Sequence, residues 1–144
     1  MKNNQKIPES DVYNWLMQAA LGLQYLHSKR IIHRDIKTQN LFLTGDNTIK
    51  IGDFGISKVL SETTKNQFAM TVVGTPYYMS PEACQSEPQT SKSDVWALGC
   101  VVHEICTLEH TFQADNLLNL VFKICSSEAK PIPECYSVEL NAVV

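Results

Sequence analysis

The sequence predicts an α+β domain that is mainly helical and carries one small β-hairpin. Three observations predict it. Apolar residues recur at three- and four-residue steps through the first thirty positions, a second segment near position 100 is apolar on nearly every face, and two short apolar runs flank the turn-like Gly45-Asp46-Asn47.

The first helix is expected from Ser10, an N-cap residue type that follows Pro8 and Glu9, with Val12, Leu16, Ala19, Leu23 and Leu26 on one face. It should end near Lys29 and Arg30, whose charge suits the negative pole of a helix dipole. Ile31 and Ile32 then lead from helix into a polar loop, His33 to Asn40. The hairpin follows, Leu41 to Leu43 against Ile49 to Ile51. From Asp53 to Glu82 no periodicity is sustained, and Gly55, Gly74, Pro76 and Pro81 punctuate a Ser/Thr-rich stretch; a loop this long in a small domain is usually functional. Ser91 can cap a helix over 92–108, which belongs in the domain centre because it is apolar nearly all round. Leu117, Leu120, Val121 and Ile124 mark a further amphipathic helix, and Val138, Leu140 and Val143 the start of another.

Composition narrows the function without naming it. The 144 residues are 44% hydrophobic and 19% charged, the balance of an ordinary globular chain able to bury a core. A net charge of -3 provides no basic footprint, so neither nucleic acid nor an anionic membrane is an expected partner. The most apolar run, Val95 to Val102, is far shorter than the roughly 20 residues of a membrane span. The opening residues, MKNNQKIPES, lack the apolar stretch of a secretory signal, so a cytoplasmic or nuclear location is expected. Cys84, Cys100, Cys106, Cys125 and Cys135 form no CxxC pair and are odd in number, which favours reduced thiols over a disulfide framework. His103-Glu104 lacks the second histidine of a zinc-binding HExxH helix.

The chemistry is concentrated in three strings: His33-Arg34-Asp35-Ile36-Lys37-Thr38-Gln39-Asn40, Asp53-Phe54-Gly55, and Gly74-Thr75-Pro76-Tyr77-Tyr78-Met79-Ser80-Pro81-Glu82. Taken singly, an aspartate in such a loop is more often a turn or cap residue than a catalyst. In this order and spacing they resemble the signature of the eukaryotic protein kinases. Lys37 after Asp35, with Gly74-Thr75-Pro76, is similar to the serine/threonine type, and the strings IIHRDIKTQNLFLT, IKIGDFGISKVL and VVGTPYYMSPE resemble the NIMA-related kinases from about Asp11 onward.

The resemblance implies a protein kinase-like fold of which residues 1–144 would be the helical C-terminal lobe, truncated at both ends, with the N-lobe absent. It implies ATP and Mg²⁺ as cofactors and Ser/Thr hydroxyls of protein substrates as acceptors. Asp35 would accept or orient the attacking hydroxyl's proton, and Lys37 would place a cation on the transferring phosphate. Asn40 and Asp53 would ligate the metal as hard oxygen donors, and Phe42 would lie beneath adenine. Arg34 would hold a phosphate on the activation loop, at Thr71 foremost; an upstream activating kinase is the partner this implies. Thr75 is a hydroxyl expected near Asp35 and a second phosphosite, and Ser57, Ser61, Thr63 and Thr64 are weaker ones. His33, Phe54, Glu82 and Asp94 are assigned structural roles, Asp94 holding the backbone of the His33 loop, although a plain reading makes it a cap partner of Ser91. His27, His103 and His110 flank or end helices without a ligand role. Gln39, where some base-preferring kinases have Glu, argues against a strong requirement for upstream arginine in the substrate. Centrosomal or ciliary association is a family expectation only.

No GxGxxG loop, strand lysine or hinge precedes Ser10, and no arginine that could pair with Glu82 follows in a later helix. Two readings follow: a fragment of an active kinase, itself inactive, or a short product that binds partners without catalysis.

Overall fold

A computed structural model describes residues 6–53, 58–59 and 76–144. The first helix, α1 (Glu9–Ser28), starts one residue earlier than its Ser10 signal because Pro8, extended at ψ 136°, takes the N-cap position, and a proline there forfeits no helical donor. Glu9 is thereby free to act at a distance. Its carboxylate accepts from the amide of Ser137 at 2.8 Å and from the Ser137 hydroxyl, fastening α1 to the far end of the chain.

After α1, Arg30 turns through φ 60° and the chain enters β1 (Ile31–Ile32), paired antiparallel with β4 (Lys58–Val59). The sequence pattern marks Ile31-Ile32 only as the lead into a loop. Two residues are too few to show a period of two, so only the partner strand reveals them. The hairpin is as expected: β2 (Leu41–Leu43) and β3 (Ile49–Ile51) pair Leu41 with Ile51, Phe42 with Lys50 and Leu43 with Ile49. Its turn is closed by the Thr44 amide donating to the Thr48 carbonyl at 2.9 Å, with Asn47 at φ 64°, a conformation asparagine tolerates.

The hairpin is clamped onto α1. Gln18 accepts from the Ile49 amide at 2.8 Å, and the Trp15 indole donates to the Asn47 side chain at 2.7 Å. Gly22, mid-helix, permits the close approach of Ile51, since a Cβ at Gly22 would sit 2.8 Å from that side chain's tip. A mid-helix glycine costs about 1 kcal/mol of propensity, which this packing offsets.

The stretch from Asp53 to Glu82, expected as one loop, holds a 3-10 turn at Pro76–Tyr78, and Pro81 begins the short α2 (Pro81–Cys84), where its missing N–H and fixed φ suit a first helical position. Next comes α3 (Ser91–Thr107), capped by Thr90 rather than Ser91: the Lys92 amide donates to the Thr90 hydroxyl at 3.2 Å while the Ser93 hydroxyl accepts from the Thr90 amide at 3.1 Å. Helix α3 is central, as its apolar circumference predicts. One side packs Ala97, Leu98 and Val101 on Ala19 and Leu23 of α1, and the other packs Val102 and Cys106 on Val12, Ile132 and Leu140. Helix α4 (Leu117–Ser126), capped by Asn116, closes a third cluster of Cys84, Phe112, Leu120 and Ile124, and α5 (Val138–Asn141) buries Leu140 completely. No helix among the described residues is long and apolar enough to cross a membrane.

The core holds three of the five cysteines. Burial pushes the thiol of Cys84 up to about 12, and those of Cys100 and Cys106 up to about 11, whereas Cys125 and Cys135 are exposed. In the folded chain a thiol reagent near neutral pH should modify Cys125 and Cys135 rapidly and the other three at least about ten times more slowly, since reaction requires both access and thiolate. Peptide mapping after brief labelling tests this, and rapid modification of Cys100 would contradict the packing of α3.

Candidate active site

The loop between β1 and β2 has no regular backbone ladder, so its shape is held by side chains. Asp94, in the first turn of α3 and 1% exposed, is the principal one. Its Oδ2 accepts from the His33 amide at 2.9 Å and its Oδ1 from the Arg34 amide at 2.8 Å. A third partner was invisible in the sequence: His27, at the end of α1, approaches Oδ2 at 2.8 Å through Nε2. The carboxylate thus joins α1, α3 and the loop, and Ser91 is not its partner.

His33 is fully buried, but it is more than packing. Its Nδ1 accepts from the Asp35 amide at 3.3 Å and its Nε2 donates to the Gly52 carbonyl at 3.0 Å, bridging the loop to the end of β3. Between them Arg34 is left-handed at φ 67°, which an L-residue adopts at a cost of order 1–3 kcal/mol unless its neighbours impose it. The Asp94 bonds to the His33 and Arg34 amides impose it here.

Asp35, Lys37 and Asn40 converge. Asp35 Oδ2 lies 2.8 Å from Lys37 Nζ and accepts from Asn40 Nδ2 at 2.9 Å, while the same amide nitrogen donates to the Asp35 carbonyl at 2.8 Å. Asn40, 5% exposed, ends the 3-10 turn Thr38–Asn40. With its nitrogen committed to Asp35, its amide oxygen is the atom left to face a cation. The Gly52 amide donates to the Asn40 carbonyl at 2.9 Å, so Asp53, an exposed residue held at φ 60°, begins beside this cluster. Phe42 is 55% exposed and lies over Gly52, where a Cβ would come within 2.5 Å of the ring.

A second chain of hydrogen bonds reaches the loop from the opposite side. Thr38, next to Lys37, is 2.9 Å from the Tyr78 hydroxyl, which donates to Glu104 of α3. Burial, then Glu104, raises the Tyr78 phenol to about 12, so it stays a donor. Glu104 also lies 3.6 Å from His110, whose ring stacks on Tyr77 at 4.0 Å. Nothing in the spacing of Thr38, Tyr78 and Glu104 could have signalled this contact, which depends on tertiary folding. Glu82 takes the Ser93 hydroxyl at 2.6 Å; burial raises its carboxyl, but the Ser93 hydrogen bond and its own backbone outweigh that and lower it overall. The Arg34 Nε is buried with no hydrogen-bond partner among the described residues. Phe54, Thr71 and Thr75, with Ser57, Ser61, Thr63 and Thr64, lie outside the described residues.

Comparison with known proteins identifies the family. The protein kinase domain family matches residues 1–142. The chain belongs to the protein kinase family. Within it the chain is 48% identical over 136 residues to the serine/threonine-protein kinase Nek1 of Mus musculus, a match that covers 94% of this chain and 11% of that protein. It is 50% identical over 143 residues to Mus musculus Nek4, covering 99% and 18% respectively, and 45% identical over 137 residues to Mus musculus Nek3, covering 95% and 26%. The NIMA-related resemblance of the motifs is therefore borne out across nearly the whole chain, which spans about a tenth to a quarter of the length of these relatives.

Removing the Asp94 carboxylate strands two backbone amides and His27 in the interior. Asp94→Ala should destabilise the protein kinase fold by about 3–5 kcal/mol, the range for breaking a buried charged network, while His27→Ala should cost less because the amides keep their acceptor. Denaturant midpoints with unchanged slopes measure both; an Asp94→Ala loss below about 1 kcal/mol would show that the loop holds its shape without it.

Proposed function

We propose that these residues form the catalytic half of a serine/threonine protein kinase, which transfers the γ-phosphoryl group of ATP to a protein hydroxyl. The observation that carries this reading is the convergence of Asp35, Lys37 and Asn40 on one carboxylate oxygen, with Asp53 starting beside them. Phosphoryl transfer needs positioned charge more than covalent chemistry, and a short carboxylate fixed by an ammonium and an amide is positioned charge.

In this reading Asp35 orients the acceptor hydroxyl and takes up its proton as transfer proceeds. Lys37, held at 2.8 Å from Asp35, offers its remaining donors to the phosphoryl oxygens. The Asn40 amide oxygen and the Asp53 carboxylate fit a hard cation that prefers oxygen, and these two residues would hold Mg²⁺, whose charge would offset that of the nucleotide phosphates. Phe42, exposed over Gly52, offers an apolar face to the adenine ring. The Arg34 Nε, unpartnered among the described residues, suits a phosphate, and a phosphorylated Thr71 would bring about -1.5 to -2 charge to it. A Gly-rich GxGxxG loop and the lysine of a V-A-I-K strand complete such a nucleotide site, and neither motif occurs in the 144 residues. The transfer is accordingly assigned to a longer protein that carries this lobe together with them.

In that longer protein, Asp35→Asn should lower kcat by about 10²–10⁴-fold, the usual contribution of a positioned general base, with KM for ATP little changed. Steady-state phosphorylation of a Ser/Thr peptide measures it, and unaltered kcat would remove Asp35 from the chemistry. Thr71→Ala should abolish activation by an upstream kinase without affecting melting; activation that persists in the variant would place the switch elsewhere.

A further inference from the structure

Protein interiors are close-packed, so a void much larger than a water molecule is exceptional. One cavity of about 170 Å³ lies between α1, α3 and the β2–β3 hairpin. Leu16, Leu41, Ile49, Val101 and Ile105 are among its walls, and Leu43, 51% exposed, stands where it meets solvent. Of the twelve residues around it only Trp15 and Thr38 carry a polar side-chain atom, and the protons of both are engaged elsewhere. The Trp15 indole N–H donates to the Asn47 side chain at 2.7 Å. Tyr78 gives its proton to Glu104, so the Thr38 hydroxyl, 2.9 Å from the Tyr78 oxygen, gives its own to Tyr78. No titratable side chain lines the cavity. A water placed there would find no side-chain donor and a single side-chain acceptor, short of the roughly two to four partners that a buried water takes.

We propose that this cavity binds a small, uncharged, single-ring aromatic molecule, and that its occupant stiffens the loop that carries Asp35. Size sets the first condition: an engineered protein cavity of about 150 Å³ with apolar walls stays dry and admits benzene. Chemistry sets the second. With no side-chain donor free and no charge among the lining residues, a polar atom on the ligand would lose its hydrogen bond to water without replacement. The lining atoms of an empty void lack partners on one side, and a ring that fills it restores those contacts. The coupling to the loop follows from what the wall is made of. Thr38 opens the 3-10 turn Thr38–Asn40 and Leu41 follows it, so the cavity backs onto the segment whose Asn40 holds the Asp35 carboxylate at 2.9 Å. A ring packed against Thr38 and Leu41 removes the space into which that turn relaxes. Binding stands independently of the phosphoryl-transfer reading, and only its bearing on catalysis rests on it.

The test uses the 144-residue chain with its Leu, Ile and Val methyl groups labelled for NMR, titrated with benzene and separately with pyridine. Benzene should give saturable shifts at Leu41, Ile49, Val101 and Ile105 and raise the melting temperature. It should also slow hydrogen exchange of the Asn40 amide, which donates to the Lys37 carbonyl at 3.0 Å. Pyridine, of the same size but with a ring nitrogen to desolvate, should bind at least about tenfold more weakly. Leu16→Trp, which brings an indole into the space from α1, should abolish the benzene shifts. If that variant does not fold, the benzene and pyridine titrations of the unaltered chain decide alone. Shifts that do not saturate, that fall equally on exposed Leu118 and Val138, or that pyridine reproduces at the same concentration overturn the site. Saturable benzene binding with Asn40 exchange unchanged overturns the coupling to the loop.

Discussion

A single buried carboxylate organises this half of the fold. Asp94 accepts from two consecutive backbone amides and meets a histidine from another helix, so the end of α1, the loop after β1 and the distant α3 meet at two oxygens. Burying an ionised group is expensive, and here the cost is met by saturating it with donors. Geometry follows from that saturation. Because the amides of His33 and Arg34 must both point at Asp94, Arg34 is forced into the left-handed region, and the chain direction at Asp35 is set before any side chain of the site is placed.

From that fixed point the site is assembled by polar side chains acting on backbone. His33 uses one ring nitrogen on the Asp35 amide and the other on the Gly52 carbonyl, and Gly52 in turn donates to the Asn40 carbonyl. The loop and the end of β3 are consequently one hydrogen-bonded unit, and Asp35, Asn40 and Asp53 inherit their relative positions from it. The Thr38–Tyr78–Glu104 chain supports the same loop from α3. Since Asp94 and Glu104 stand on one helix, the rigid central helix positions the loop at both ends.

How much of this was legible follows from the range of each signal. Helix periodicity and turn chemistry act locally, and α1, α3, α4 and the hairpin at Leu41 to Ile51 were readable to within a residue or two. Caps lie two positions early at Pro8 and one early at Thr90, because where a helix starts depends on what else each neighbouring residue must do. Glu9 serves Ser137, and Ser93 completes the box of Thr90. Asp35, Asn40 and Asp53 were singled out because the motif spacing resembles that of a family, not because any local rule requires a carboxylate or amide there, and the structure brings Asp35 and Asn40 into contact. His27 and the Tyr78 relay were unreadable: their partners lie 67 and 26 residues away, and nothing local marks a side chain that will be used at such a distance.

Ser93 shows how one short side chain can make two distant features interdependent. Its hydroxyl accepts from the Thr90 amide, completing the cap of α3, and donates its proton to Glu82, fixing α2 against that cap. A hydroxyl can do both because it is donor and acceptor at once, which neither an ammonium nor a carboxylate can be at neutral pH. The start of the helix that carries Asp94 is therefore tied to the segment that follows Tyr78. A disturbance at α2, such as substitution of Glu82, acts on the N-terminal turn of α3 directly, and Asp94 sits in that turn, one residue beyond Ser93. The loop bearing Asp35 is thus two hydrogen-bonded steps from α2, through the Asp94 carboxylate.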